Sequence, residues 1–194
     1  MAHPAVFLDR DGTLIEDVGY VDRLERLRLY PWSIDSVRLL HRVGYRVVVV
    51  TNQAGVARGM LSEQIVIDVY QFIQKELSAV GEQLDGHYYC PHLPDAPVTQ
   101  YRRDCSCHKP RPGLILQAAQ DLDLDLDCSV VVGDRWTDVQ LARAVGAKAI
   151  LVKTGYGVSQ LMQPPGGDAA DAVLDNLIQA VGWILACNKK RSPQ

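Results

Sequence analysis

The sequence predicts an α/β domain built on a doubly wound parallel sheet, and three observations carry that expectation. Short β-branched runs alternate with amphipathic stretches along the chain, the pattern of repeated strand–helix units. The runs Val47-Val48-Val49-Val50 and Val130-Val131-Val132 are apolar throughout, as strands covered by helices on both faces must be. Three polar clusters each follow a predicted strand: Asp9-Arg10-Asp11-Gly12-Thr13, Thr51-Asn52-Gln53, and Gly133-Asp134-Arg135-Trp136-Thr137-Asp138. The carboxyl edge of an open α/β sheet is where ligands bind.

Taken in order, the first predicted strand is Ala5 to Leu8, a short apolar run that ends in the first polar cluster. Ile34 to Val43 is amphipathic and closes at Gly44, and Arg46 to Val50 is the second strand. Ser62 to Val80 is helical and closes at Gly81; Ile65, Val69, Phe72, Ile73 and Val80 recur at helical spacing and are assigned to the core. Gly86 to Tyr89 is the third strand. Cys90 to Pro112 has no apolar periodicity, is rich in proline and bears Cys and His, and a loop of that length needs a function or a staple. Asp121 to Asp127 alternates Asp with Leu and reads as a solvated helix end and turn. Ser129 to Val132 is the fourth strand. Asp138 to Val145 is a helix started by a Thr137–Gln140 capping box and closed at Gly146, and Ala147 to Val152 is the fifth strand. Each closing glycine suits the left-handed position that ends a helix. Asn188 to Gln194 is polar and expected to be a disordered tail, so residues 1–187 form one domain followed by 188–194.

The 194 residues are 47% hydrophobic and 22% charged, with a net charge of -3, so the chain is globular and has no global field for a nucleic-acid backbone or an anionic membrane. No apolar run reaches the roughly 18 to 20 residues of a bilayer span, and the N-terminus shows no secretory pattern, which predicts a cytoplasmic protein. Five cysteines argue against a closed disulfide framework. Cys90-Pro-His92 and Cys105-Ser-Cys107 place three thiolates and an imidazole in one loop, the ligand complement of a structural Zn²⁺. His87 and His108 are nearby alternatives as the nitrogen ligand, with spacing favouring His92; Cys128 and Cys187 read as buried hydrophobes. Lys109 stands two residues after Cys107, so fixing the loop fixes the lysine.

Asp9-x-Asp11-Gly12-Thr13 after the first strand, Thr51-Asn52 after the second, Lys109 in His108-Lys109-Pro110, and Gly133-Asp134 with Asp138 resemble the four ordered motifs of the haloacid dehalogenase superfamily of phosphatases. The resemblance spans Phe7 to about Gly157. It implies a single Rossmann-like sheet of strand order 3-2-1-4-5 with a zinc-stapled loop and no large cap domain. It also implies phosphomonoester hydrolysis, with Asp9 as nucleophile, Asp11 as general acid and base, and Thr51 and Lys109 holding the phosphoryl oxygens. Mg²⁺ would be bound by Asp9, Asp134 and the Asp11 carbonyl, which suits a hard cation facing an anionic nucleophile and an anionic substrate.

Within the superfamily, Leu8-Asp9-Arg10-Asp11-Gly12-Thr13, Thr51-Asn52-Gln53 and Cys90-Pro-His92 are similar to the branch of heptose bisphosphate and histidinol phosphatases. Gly19-Tyr20-Val21, Gly55-Val56-Ala57-Arg58-Gly59 and Tyr88-Tyr89-Cys90-Pro91-His92 favour the heptose bisphosphate members. That resemblance implies a small phosphorylated sugar as partner, and Arg10, Gly19, Tyr20, Val21, Asp22, Asn52, Gln53, Ala54, Arg58 and His108 at the substrate site of an expected monomer. The branch commonly has Arg where this chain has His108, a weaker phosphate ligand than a guanidinium fork; Arg58, Arg111 and Arg102 are the candidates to supply the charge. Histidinol phosphate or another small phosphomonoester is the alternative substrate, and an inactive zinc-stapled binding module is the alternative outside enzymes. A polynucleotide phosphatase is disfavoured by the charge.

Overall fold

A computed structural model of the chain describes residues 2–21, 23–167 and 169–189. Among the described residues six strands form one sheet: β1 (His3–Leu8), β2 (Arg46–Asn52), β3 (Gly86–Cys90), β4 (Leu124–Gly133), β5 (Lys148–Val152) and β6 (Ala172–Leu174). All pairings are parallel and the order is β3-β2-β1-β4-β5-β6. The expected order is thus present with one edge strand added. β6 has only three residues, too few for a periodicity to be read.

Alternate strand residues feed two cores, as the period of two requires. On one face Leu8, Val49, Val132 and Ile150 pack with α1 (Ser33–Arg42), α3 (Glu63–Ser78) and α7 (Leu177–Lys189). On the other Phe7, Val50, Val131 and Leu151 pack with α4 (Gly113–Leu122) and α5 (Trp136–Ala144). The short helices α2 (Ala54–Ala57) and α6 (Gly157–Leu161) lie beyond the carboxyl ends of β2 and β5. Among the described residues no cap domain is inserted, and no helix is long and apolar enough to cross a membrane.

Several expectations need correction. β4 starts at Leu124, so most of the Asp121–Asp127 stretch is not a turn: α4 ends, Asp123 takes φ 51 at its C-cap, and the Asp/Leu alternation is that of the strand. α5 begins at Trp136 with Arg135 at the N-cap, and its start is closed by Asp138, whose Oδ2 accepts from the Arg135 amide at 3.2 Å, not by Thr137 and Gln140. In α3 the buried face is Val66, Val69, Ile73 and Leu77, while Ile65 and Phe72 are half-buried and Val80 lies past the helix end and is exposed. Cys128 and Cys187 are half-buried rather than buried. The predicted tail starts too early, since α7 runs through Lys189; residues 190–194 lie outside the described residues.

Candidate active site

The carboxyl ends of β1, β2 and β4 bring the polar clusters together around one cavity of about 480 Å³. Asp9, Arg10, Asp11, Gly19, Tyr20, Val21, Thr51, Asn52, Gln53, Ala54, Arg58, His108 and Lys109 all line it. Asp22 lies outside the described residues. Arg135 and Tyr156 also line the wall, and the sequence reading assigned neither to the substrate site. Both follow a strand at the edge where ligands bind, and that position was the available signal.

At the floor, Asp9, Asp134 and Asp138 bring carboxylate oxygens within 4.8 Å of one another. Lys109 Nζ stands 2.9 Å from Asp9 Oδ1 and 2.7 Å from Asp138 Oδ1, and donates to the Val50 carbonyl at 3.0 Å. Burial opposes charge on this lysine, but Asp138 and Asp9 outweigh it and hold the ammonium above the usual lysine range. Asn52 clasps its backbone, accepting from Lys109 N at 2.9 Å and donating to Lys109 O at 3.2 Å. Asn52 thus holds the lysine and also lines the cavity, where the resemblance places it at the substrate.

Asp134 is fully buried. Its Oδ2 accepts from Tyr156 N at 2.7 Å, while Oδ1 has no hydrogen-bond partner. Burial and then the neighbouring Asp9 charge push its pKa up to about 8. Glycine is required around it: at Gly12 (φ +79) and at Gly155 (φ +55), a Cβ would lie 2.2 Å from Asp134 Oδ2. An orphaned buried carboxylate oxygen beside a second carboxylate is a hard-oxygen donor set that fits Mg²⁺.

Asp11 turns elsewhere. Arg10 Nε donates to its two carboxylate oxygens at 3.2 and 3.1 Å, and Gln53 Nε2 donates to Oδ2 at 2.9 Å. Gln53 also donates to Thr51 Oγ1 at 3.0 Å. Arg10 is only 2% exposed; its Nε and Nη2 pair with Asp11, while Nη1 has no hydrogen-bond partner at the cavity wall. The amide and guanidinium thus hold a carboxyl group at the cavity wall, outside the floor cluster.

One ligand atom from each of Cys90, His92, Cys105 and Cys107 lies within 4.8 Å of the others. The Cys107 sulfur is 3.1 Å from those of both Cys90 and Cys105 and 3.3 Å from His92 Nδ1. Three soft thiols and an imidazole closing on one point fit a tetrahedral Zn²⁺. His87 is remote from this cluster, stacked on Tyr70 with ring centroids 4.6 Å apart. His108 Nδ1 lies 3.7 Å from Cys90 Sγ, so this ring lines the cavity yet turns its Nδ1 toward the cluster.

A parallel sheet of this order, with an aspartate after β1, a threonine closing β2 and a lysine buried between carboxylates, defines a phosphatase of the haloacid-dehalogenase-like class. Residues 106–180 match the HAD-hydrolase-like family. The chain is 42% identical over 176 residues to D-glycero-beta-D-manno-heptose-1,7-bisphosphate 7-phosphatase of Yersinia pestis, covering 90% of this chain and 91% of that protein. It is 38% identical over 190 residues to the Vibrio cholerae protein of the same name, covering 97% and 100%. The crystal structure of D,D-heptose 1,7-bisphosphate phosphatase from B. bronchiseptica, complexed with magnesium and phosphate, matches with a TM-score of 0.82 and 30% identity over 94% of this chain and 98% of that one. The chain belongs to the HAD-like phosphatase family, alongside these heptose bisphosphate enzymes.

Proposed function

We infer that this chain is a phosphomonoester hydrolase that removes the 7-phosphate of D-glycero-D-manno-heptose 1,7-bisphosphate through an aspartyl phosphate on Asp9. The observation that carries the reading is Asp9 at the floor of the cavity, its carboxylate 2.9 Å from the buried Lys109 ammonium. The relatives' names supply the substrate class.

An Asp9 oxygen bonds to phosphorus as the bond from phosphorus to the sugar oxygen breaks, and the Asp11 carboxyl gives that oxygen its proton. In the second half, Asp11 takes a proton from water as the water oxygen bonds to phosphorus and Asp9 is released. Lys109 and the Thr51 hydroxyl hold the phosphoryl oxygens throughout, and Asn52 and Asp138 hold Lys109. Arg10 and Gln53 orient Asp11. Asp9, Asp134 and the Asp11 carbonyl would hold Mg²⁺, which when bound offsets the repulsion between nucleophile and substrate. Cys90, His92, Cys105 and Cys107 would hold a structural Zn²⁺ that fixes the loop carrying Lys109. We keep the reading of a monomeric, single-domain enzyme, with the domain extended through Lys189, where α7 ends. Thiols free for metal suit a reducing cytoplasm.

The test is phosphate release from both anomers of the heptose 1,7-bisphosphate, histidinol phosphate and simple sugar phosphates. The highest kcat/KM is expected on a heptose bisphosphate. A higher value on histidinol phosphate would overturn the substrate assignment while leaving the chemistry intact.

A further inference from the structure

At the Asp9 end of the cavity the cations are committed, Lys109 to Asp9 and Asp138 and Arg10 to Asp11. A substrate with a second phosphate needs a cation elsewhere on the wall. The structure sorts the candidates. His108 lines the cavity but turns its Nδ1 toward the Cys90 sulfur at 3.7 Å, which leaves an anion Nε2 and no forked, permanently charged donor set. Arg111 bonds to Asp104 and to the Cys105 carbonyl, Arg102 to the Ala96 and Pro97 carbonyls, and neither lines the cavity. Arg135 lines it, but its charge is shared between Asp17 and Asp134, each 3.8 Å away, and its guanidinium lies 3.8 Å from the Tyr156 ring centroid.

Arg58 is different. It lines the cavity, it is exposed, and among the described residues it has no carboxylate partner. Its Nη1 donates to the Tyr20 hydroxyl at 2.5 Å, which leaves the other N–H groups of the fork for an anion. Tyr20 is itself well held. Its ring rests on Gly55, where a Cβ would come within 2.7 Å of a ring carbon. Arg26 bonds to the Val18 carbonyl at 2.9 Å and the Tyr20 carbonyl at 3.4 Å, and Asp17 caps the turn by accepting from Gly19 N at 2.8 Å. A guanidinium oriented before the ligand arrives loses less freedom on binding it.

We propose that Arg58, oriented by Tyr20, takes the second phosphate of a bisphosphate substrate and sets the preference for bisphosphate over monophosphate. The proposal rests on the substrate reading above and makes Arg58, not His108, the specificity-determining residue. The experiment compares kcat/KM on a heptose 1,7-bisphosphate and the matching 7-monophosphate in wild type, Arg58→Gln, Tyr20→Phe and His108→Gln. A sugar 1-phosphate, which carries only the second phosphate, serves as a competitive inhibitor. In Arg58→Gln the bisphosphate-to-monophosphate ratio should fall about ten- to a hundredfold and the inhibition constant should rise by a similar factor, as loss of a charge-assisted contact requires. Tyr20→Phe should give a smaller change in the same direction. A ratio unchanged in Arg58→Gln, or one that falls further in His108→Gln, overturns the proposal while the substrate reading stands. A wild type without preference for the bisphosphate overturns both.

Discussion

Asp9, Asp134 and Asp138 gather beside the buried Lys109, and the chemistry of the site follows from which of them it pairs with. Lys109 is paired with Asp9 and Asp138, so Asp134 is left with one backbone donor and the Arg135 guanidinium 3.8 Å away. Asp9 combines proximity to the ammonium with access to the cavity, the two observations behind its proposed role as nucleophile. Asp9→Asn keeps the shape and the Asp138–Lys109 pair, so the protein should fold while kcat falls by about 10⁴ or more. A rapid-quench trap for the acyl phosphate should find it in wild type and not in the variant. Appreciable turnover in a clean preparation of the variant would rule out the assignment.

Two elements are held by side-chain clusters rather than by secondary structure. The loop from Cys90 to Pro112 carries its metal-type cluster directly before Lys109, and Val98 N donates to the Ala57 carbonyl at 3.2 Å, so one loop braces both Lys109 and the residue preceding Arg58. Cys107→Ser should reduce bound zinc from about one equivalent to little, measured by metal analysis, and lower the melting temperature together with kcat. Zinc content equal to wild type would refute the ligand set. On the opposite edge, both ring nitrogens of His41 in α1 face carboxylates, Glu82 at 2.7 Å and Asp85 at 3.0 Å. Only the imidazolium has two N–H groups to give them. The hydrogen bond to Asp85 raises the His41 pKa against the opposing effect of burial, with Glu82 adding to the rise. A raised folded value contributes stability that is fully present below about pH 6.5 and is lost as pH rises through it. Between pH 6 and 8 the wild type should lose about 0.5 to 1 kcal/mol more than His41→Asn, read as the difference in urea midpoints. Equal slopes for the two proteins would mean the pair contributes nothing.

For the molecule as a whole, the buried carboxylates at the strand ends are a repulsion that the proposed Mg²⁺ would relieve. With Asp134 pushed up to about 8 by burial and by Asp9, the metal-free protein gains stability from its protonated form below the ordinary carboxylate range and loses it as pH rises toward 8. Mg²⁺ at roughly 100 times its dissociation constant should add about 2.7 kcal/mol, or about 5 to 10 °C in melting temperature for a chain this size. Asp134→Asn should abolish that response, melt higher than metal-free wild type near pH 8, and be inactive. A magnesium-dependent shift retained in the variant would place the cation elsewhere.

The strand–helix alternation, the two-faced burial of β2 and β4 and the residues that gather at the candidate site were legible in the sequence because each depends on local periodicity or on a motif at a strand end. The four metal-type ligands were legible for the same reason, as close pairs in one unsupported loop. β6 was not, since three residues carry no period and its edge exists only because β5 is there to pair with. Nor were the partners: the Arg10 guanidinium pairs with Asp11, and Asn52 closes on the backbone of a lysine 57 residues away. Likewise only tertiary structure could turn the Nδ1 of His108 toward Cys90 and join Arg58 to a tyrosine 38 residues earlier. Sequence determines which groups reach the sheet edge. Which charge each meets there is decided by loops converging from distant parts of the chain, whose packing follows from the whole fold and from no single segment.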